Sequence, residues 1–462
     1  MEIEVELKTG WKQVLSNGMS ICEISVSEIN SRQYLYLPFD DFHRYFGAPE
    51  GVVGDLLVVA GSCYIVDQLI PRSAFLDNWT RELEVRLPVA EPDCWNAVAS
   101  ELSETLTFLT GDLWQFSFHR RHGRIYKRRH RRLQRKRLRP ASTICLFSGG
   151  LDSLVGAVDF LSKNNEPLTL VGHYDLGSTN KTMQSNLASK LTEHFPKRFH
   201  LIQARVGPIQ NIASNSGIYG QVSAPGKKES TFRSRSLVFL ALGLYVAQQQ
   251  TDSNSVPLLI PENGFIALNP PLTHSRLSSC STRTTHPLFL AHFQKIARQL
   301  GLENTIQNPL AEKTKGEVLA RSVNPELVQS LVPDTISCAH PTRRQGWIRR
   351  SATHCGYCIP CIFRRAALHQ VGLDQGETYG LDVCAGELAL DENTASDFRA
   401  VLGWVYDAHT GDFVPEKVAH RMVLPLDMYP VAVRVLRAGV DEVTQLLRDK
   451  AASHIQRWAG MA

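Results

Sequence analysis

Thr143-Ile144-Cys145-Leu146-Phe147-Ser148-Gly149-Gly150-Leu151-Asp152-Ser153 is the stretch on which the reading of this chain turns. The apolar run Thr143 to Phe147 predicts a short buried strand, and the amphipathic run Asp152 to Lys163 predicts a helix. Two glycines between them permit a tight turn. Successive backbone N–H groups and the positive end of the helix dipole then face one point, and the two serine hydroxyls add donors. Such a turn suits a phosphate or pyrophosphate. It lacks the Gly-Lys-Ser/Thr ending of the common NTPase loop, so cleavage between the β and γ phosphates is not implied. A plain Gly-Gly turn between strand and helix is the alternative.

Outward from this turn, apolar runs of five or six residues alternate with helical stretches. The order is a helix over Thr182 to His194 between strands at Leu168 to His173 and His200 to Ala204. A helix through Ser234 to Gln249, a strand at Pro257 to Pro261 and a helix at Pro287 to Leu300 follow. That alternation predicts an α/β fold, a parallel sheet with helices on both faces. Upstream, residues 1–118 carry short runs such as Gln33 to Leu37 and Asp55 to Ala60 and read as a strand-rich accessory domain, with a packing helix over Trp95 to Leu109. Residues 119–140 read as a basic linker and 141–372 as the α/β domain. Residues 373–462 form a helical region with amphipathic stretches at Thr394 to Trp404 and Val431 to Ile455.

The nominal charge of +5 describes neither part of the chain. Arg120 to Arg139 holds 12 Lys or Arg in 20 residues, while the remaining 38 bases face 45 acids, a balance of −7. The sequence is therefore acidic with one intensely basic segment, a local anion-facing strip or a solvated linker. Its only candidate stacking residue is Tyr126, so nucleic-acid binding through 120–139 is not the favoured reading. The longest apolar run, Leu237 to Ala247, is short of the roughly 20 residues a membrane helix needs, so no membrane span is expected. The acidic, alternating start, Met1 to Glu6, is the reverse of a signal peptide and predicts a cytoplasmic protein.

Of the ten cysteines, Cys338, Cys355, Cys358 and Cys361 are one distant thiol plus Cys-x2-Cys-x2-Cys. Thiolates at this spacing reach one ion at about 2.3 Å, with Gly356 and Pro360 supplying the turn. Zn²⁺ with four protein ligands is structural, since no position stays open for water. An iron–sulfur cluster and unligated buried thiols are the alternatives, and His354 reads as a neighbour of the site.

Ser148-Gly149-Gly150-Leu151-Asp152-Ser153 resembles the SGGxDS loop of PP-loop ATP pyrophosphatases. Together with the cysteine spacing and the following Arg364 it is similar to the QueC-like, or 7-cyano-7-deazaguanine synthase-like, family over about residues 142–372. The resemblance implies that ATP binds Ser148, Gly149, Gly150, Leu151, Asp152 and Ser153, with His173, Asp175 and Gly177 at the adenosine and Arg235 opening a helix. Taken alone, Asp175 is an ordinary turn residue and Arg235 a surface arginine. Lys315 and Glu317 match a Thr-Lys-x-Glu element near the phosphates. Ser148, Asp152, Ser153 and Lys315 are then the expected catalytic residues, with Mg²⁺ neutralising phosphate charge.

This chain departs from shorter family members. Their Asp-x-Ser-Gly-Tyr-Pro-Asp-Cys-Arg segment is replaced by Glu262-Asn263-Gly264 and a later Ser281-Thr282-Arg283-Thr284-Thr285-His286-Pro287. The Glu262 segment, Asp77 to Leu83 and Phe108 to Trp114 resemble the longer QatC group of bacterial anti-phage Qat operons. The implied function is adenylation of a 7-deazaguanine-type carboxylate, with release of pyrophosphate, then transfer to ammonia or a partner-protein amine with release of AMP. Implied partners are other proteins of the same operon. A tRNA-modifying PP-loop enzyme and a nucleotide-binding scaffold of a defence complex are the rival readings.

Overall fold

A computed structural model of the chain describes residues 2–4, 13–16, 19–23, 35–47, 50–70, 72, 75, 77–122, 138–175, 179–208, 233–250, 253–272, 283–340 and 344–461. Residues 123–137, the body of the basic linker, lie outside them, as do Gly177, Ser281 and Thr282.

The N-terminal part builds one five-stranded sheet from β1 (Glu2–Glu4), β2 (Gln13–Ser16), β3 (Met19–Glu23), β5 (Glu82–Val89) and β6 (Leu113–Arg120). The order is β2-β3-β1-β5-β6, and the parallel pair β5 and β6 is joined through helices Pro92–Ala97 and Ala99–Thr110. Trp95, Val98, Leu102 and Leu106 are buried as their spacing predicts, although Val98 interrupts the helix.

One expectation for this part is corrected. Asp55 to Ala60 is not a strand but lies inside a 19-residue helix, Gly51–Leu69. The run is apolar on every side, so periodicity cannot separate strand from helix, and length decides the matter. The helix is long and apolar enough to cross a membrane, yet 78% of its 18-residue window is buried inside the protein. Leu56 to Ala60 and Cys63 to Val66 lie in one core with Leu237 to Ala247 of the helix Arg235–Gln248.

The second sheet carries the opening turn. Its strands are β7 (Thr143–Leu146), β8 (Leu168–Tyr174), β9 (Phe199–Arg205), β11 (Leu258–Leu259) and β12 (Ile306–Gln307), all parallel, in the order β12-β11-β7-β8-β9. A two-residue ribbon pairs β4 (Leu35–Tyr36) with β10 (Gly207–Pro208). Side-chain alternation sorts the faces. Ile144, Val171, Ile202 and Ala204 join the core containing Arg235–Gln248, whereas Cys145, Leu168 and Leu170 pack with helices Leu151–Lys163 and Asn180–His194. Helices therefore cover both faces, as a parallel sheet requires. Each fully buried Leu or Phe in these layers contributes roughly 1.5–3 kcal/mol.

Because β8 lies on one side of β7 and β11 on the other, the direction in which successive strands are added reverses at β7. Ligands of such sheets bind outside the strand carboxyl ends at that point. The C-terminal helices Ser396–Thr410 and Tyr429–Lys450 pack, through Val401, Leu436 and Val440, against Ile362 and Phe363 of helix Ile359–Gln370. The stretch Val431 to Ile455 is two helices, since the chain turns extended at Ala451 and Ala452 before Ser453–Trp458.

Candidate functional site

The turn after β7 is held by its own atoms and by two neighbours, Ile336 and Gln184. Gly149 has φ +85°, and a Cβ there would lie 2.8 Å from Met183 Cε, so only glycine fits. Gly150 precedes the first turn of Leu151–Lys163 and has no side chain with which to fill the helix amides. The Ser153 hydroxyl donates to Gly150 O at 2.9 Å, and Ser148 Oγ lies 3.2 Å from both Ser153 Oγ and the Gly150 N–H that it accepts from. Ile336 N–H donates to Gly149 O at 3.3 Å, and the Gln184 amide donates to Ser148 O and His173 O. Two serine hydroxyls and a helix N-terminus thus point into one place, with an anion as the matching ligand.

Behind the turn, Asp152 is buried and meets Lys315 Nζ at 2.7 Å through both carboxylate oxygens. Asn263 Nδ2 donates to Asp152 Oδ2 at 2.8 Å. Burial alone would raise the Asp152 carboxyl. The Lys315 charge and hydrogen bonds from Glu262, Lys315 and Asn263 override it and hold Asp152 below the ordinary carboxylate range. Glu262 goes the other way. Burial, then the Asp152 charge and a hydrogen bond to it, push it well above the ordinary range. Lys315 is presented by a capping box in which Thr314 accepts from Glu317 N–H and Glu317 accepts from Thr314 N–H. Glu442, from helix Tyr429–Lys450, accepts from the Thr314 hydroxyl and from Gly316 N–H at 3.2 Å.

At the end of β8, His173 Nε2 lies 2.8 Å from the Val206 carbonyl, which can only accept, so the proton sits on Nε2. His173 Nδ1 then accepts from Arg235 Nη2 at 3.3 Å. Burial, followed by the Arg235 charge, lowers the ring to about 4 and keeps it neutral near pH 7. Arg235 pairs with Asp175 at 3.3 Å, and Asp175 accepts from the Tyr64 hydroxyl at 3.2 Å.

Ser148, Ser153, His173 and Arg235 line one cleft that opens to solvent. Phe239, Pro261 and Glu262 line it as well, and Thr284 and Thr285 form its edge, with the Ser236 hydroxyl donating to Thr284 Oγ1 at 2.9 Å. The apolar walls and few convergent polar groups are typical of a small-molecule site.

The four cysteines also converge. The sulfur atoms of Cys338, Cys355, Cys358 and Cys361 lie within 4.8 Å of one another, and Cys355 and Cys361 are 3.7 Å apart. Bonds of about 2.3 Å in a tetrahedron put sulfurs about 3.8 Å apart, so the set fits a single metal ion such as zinc. His340 N–H donates to Cys338 Sγ at 3.2 Å and Cys358 N–H to Cys355 Sγ at 3.3 Å, stabilising thiolates. At Gly356, φ is +91° and a Cβ would lie 2.0 Å from Leu381 O. His354 is a neighbour, accepting from Ser337 N–H at 3.2 Å. The cluster reaches the turn through Val332 to Cys338. Arg364 binds Thr335, Ser337 and Val332 O, and Ile336 holds Gly149.

The structure therefore brings Ser148, Gly149, Gly150, Leu151, Asp152, Ser153, His173, Asp175, Arg235 and Lys315 to one end of the sheet. Lys315 and Asp152 stand behind the turn, paired with each other, while Ser148, Ser153, His173 and Arg235 face the cleft. Sequence reasoning singled out the Glu262-Asn263-Gly264 segment without giving Glu262 or Asn263 a site role; their place after a parallel strand was the available signal. Tyr64 carried no signal at all, lying inside an apolar run. Compared with known families and with curated proteins, the chain finds no match in either.

Proposed function

We propose that the protein is an ATP-dependent carbon–nitrogen ligase of the QueC-like kind, most like the QatC group, serving anti-phage defence in the cytoplasm. It adenylates a 7-deazaguanine-type carboxylate and passes the acyl group to ammonia or to an amine of a partner protein. The observation that carries the reading is the Ser148–Ser153 turn at the switch point of the sheet, sharing one cleft with His173 and Arg235. In this reading a carboxylate oxygen of the substrate attacks the α-phosphorus of ATP, and the bond to the bridging oxygen breaks. The leaving pyrophosphate is held by the helix amides and the Ser148 and Ser153 hydroxyls. A neutral amine then attacks the acyl carbon, AMP departs, and the nitrogen gives up a proton.

Positioning and charge neutralisation supply the catalysis, and no protein nucleophile is needed. Mg²⁺ bound with the nucleotide supplies further neutralisation of phosphate charge. Lys315 acts through Asp152, fixing the first turn of the helix that presents the amides. The apolar walls at Phe239 and Pro261 suit a planar heteroaromatic acid. Zinc at the four cysteines would pin the segment behind the turn, and its chemistry is structural.

Incubation with ATP, 7-carboxy-7-deazaguanine and either ammonia or candidate partner proteins tests the reading through AMP, pyrophosphate and intact protein masses. AMP formation that depends on the carboxylate supports it, and no AMP under any combination overturns it. An Asp152→Ala protein that retains full phage protection would instead favour a scaffold.

A further inference from the structure

One wall of the cleft, at Arg235, is hung on the N-terminal part of the chain. Ser234 immediately precedes Arg235, and both its N–H and its hydroxyl donate to Asp67 Oδ2, at 3.0 and 2.8 Å. Asp67 belongs to helix Gly51–Leu69 and is fully buried, with its other oxygen 2.6 Å from Arg81. An aspartate from a distant helix therefore anchors the residue that opens Arg235–Gln248 and places its charge near the positive end of that helix. One turn earlier, Tyr64 is 2% exposed, its ring meets His173 edge-on at 6.2 Å, and its hydroxyl donates to Asp175 Oδ1.

Arg233, next to Ser234, and Arg283, beside the lining residue Thr284, hang on the N-terminal part as well. Arg233 donates to Thr110 O, while Arg283, just before Thr284, donates to Phe108 O and lies 4.4 Å over the Phe108 ring. Ser236 and Thr284 tie the two segments together.

We infer that the N-terminal part completes the ligand cleft, with Tyr64 and Asp67 as positioning residues that set Asp175 and Arg235 for the sugar and phosphate of a bound nucleotide. Arg235 has two carboxylate-bearing neighbours to answer to. Asp67 fixes where its helix starts, and Asp175 fixes where its guanidinium points. Tyr64 holds Asp175 from the far side, leaving one guanidinium edge for a ligand anion. Arg235 and the neutral His173 would otherwise sit on a helix start and a strand end with nothing to set their distance. This inference rests on the nucleotide reading above.

The test measures ATP binding by calorimetry, and kcat and KM for ATP, in the full chain and in the Tyr64→Phe and Asp67→Asn variants. Tyr64→Phe keeps the ring and its packing, so its melting temperature should match the wild type. Its KM and Kd for ATP should rise about tenfold with kcat within about twofold, the scale of one hydrogen bond to a charged group. Asp67→Asn should weaken ATP binding at least as much, and the ring ¹⁵N signals of His173 should shift as Arg235 leaves Nδ1. If Asp67→Asn fails to fold, Tyr64→Phe alone decides. Wild-type binding of ATP with unchanged constants in Tyr64→Phe overturns this inference and leaves the proposed function standing. Absence of ATP binding in the wild type overturns both.

Discussion

Lys315 Nζ lies 2.7 Å from each carboxylate oxygen of Asp152, although 163 positions separate the two residues. Both side chains are 6% exposed, so the pair has exchanged hydration for mutual attraction and is held by Asn263 on its open side. Removing one partner leaves an uncompensated buried charge, which costs about 3–5 kcal/mol. Lys315→Met and Asp152→Asn should each lower the denaturation midpoint strongly, whereas the double variant should recover much of that stability. AMP formation should stay low in all three. A double variant as unstable as either single one would contradict the pairing, and the check is a denaturant titration of the four proteins.

The two serines should behave differently from this pair. Ser148 and Ser153 face the cleft, and among the described residues their hydroxyls bond to each other and to the turn backbone. Ser148→Ala and Ser153→Ala should each slow AMP formation by about 10- to 100-fold, the value of a hydrogen bond to a charged group, with little loss of stability. Steady-state kinetics beside thermal melting separates the two effects. A loss of melting temperature that accounts for the whole loss of rate would argue against a ligand role.

The sulfur spacing predicts one metal ion per chain. Elemental analysis should give about one equivalent of zinc and no iron, and the protein should lack the visible absorbance of a cluster. Cys358→Ser should lose the metal and melt at lower temperature, because Cys358 also precedes the helix Ile359–Gln370. Since Ile336 and Arg364 connect this region to Gly149, metal loss should also reduce ATP binding. Retained iron at four equivalents would overturn the single-ion reading.

Glu442 gives a pH test. Burial raises its carboxyl from the ordinary 4.5 to about 7, against hydrogen bonds from Thr314 and Gly316. The folded protein therefore keeps a proton there that the unfolded chain releases. Its contribution to stability is complete below pH 4.5 and is lost as pH rises to about 7. The stability of wild type relative to Glu442→Gln should fall across that window, because glutamine mimics the protonated acid. A difference independent of pH between 4.5 and 7 would show that Glu442 titrates normally.

Much of the sheet was legible because its signals are local. Thr143 to Phe147, Leu168 to His173 and His200 to Ala204 are short apolar runs between helical stretches, and each lies in a parallel strand or at its end. The serine turn was legible because two glycines and a following amphipathic run are enough to aim backbone amides at an anion. The four-cysteine cluster was legible from spacing, since three of its ligands lie within seven residues. Asp55 to Ala60 was misread because a helix buried on every side has no polar face to reveal its period.

The sequence by itself determined the elements around β7, the donor-rich turn and the convergent thiols, because strand, turn and short-range ligand spacing depend on neighbours in the chain. Only the tertiary structure decided what stands behind and around that turn. Lys315, Asn263 and Glu262 reach Asp152 across more than 100 positions, and Tyr64 reaches Asp175 across 111. These meetings follow from the order in which parallel strands pair and from which helix covers which face. A buried charge or hydroxyl takes its partner from whatever that packing brings within hydrogen-bonding distance, and no local pattern records the choice.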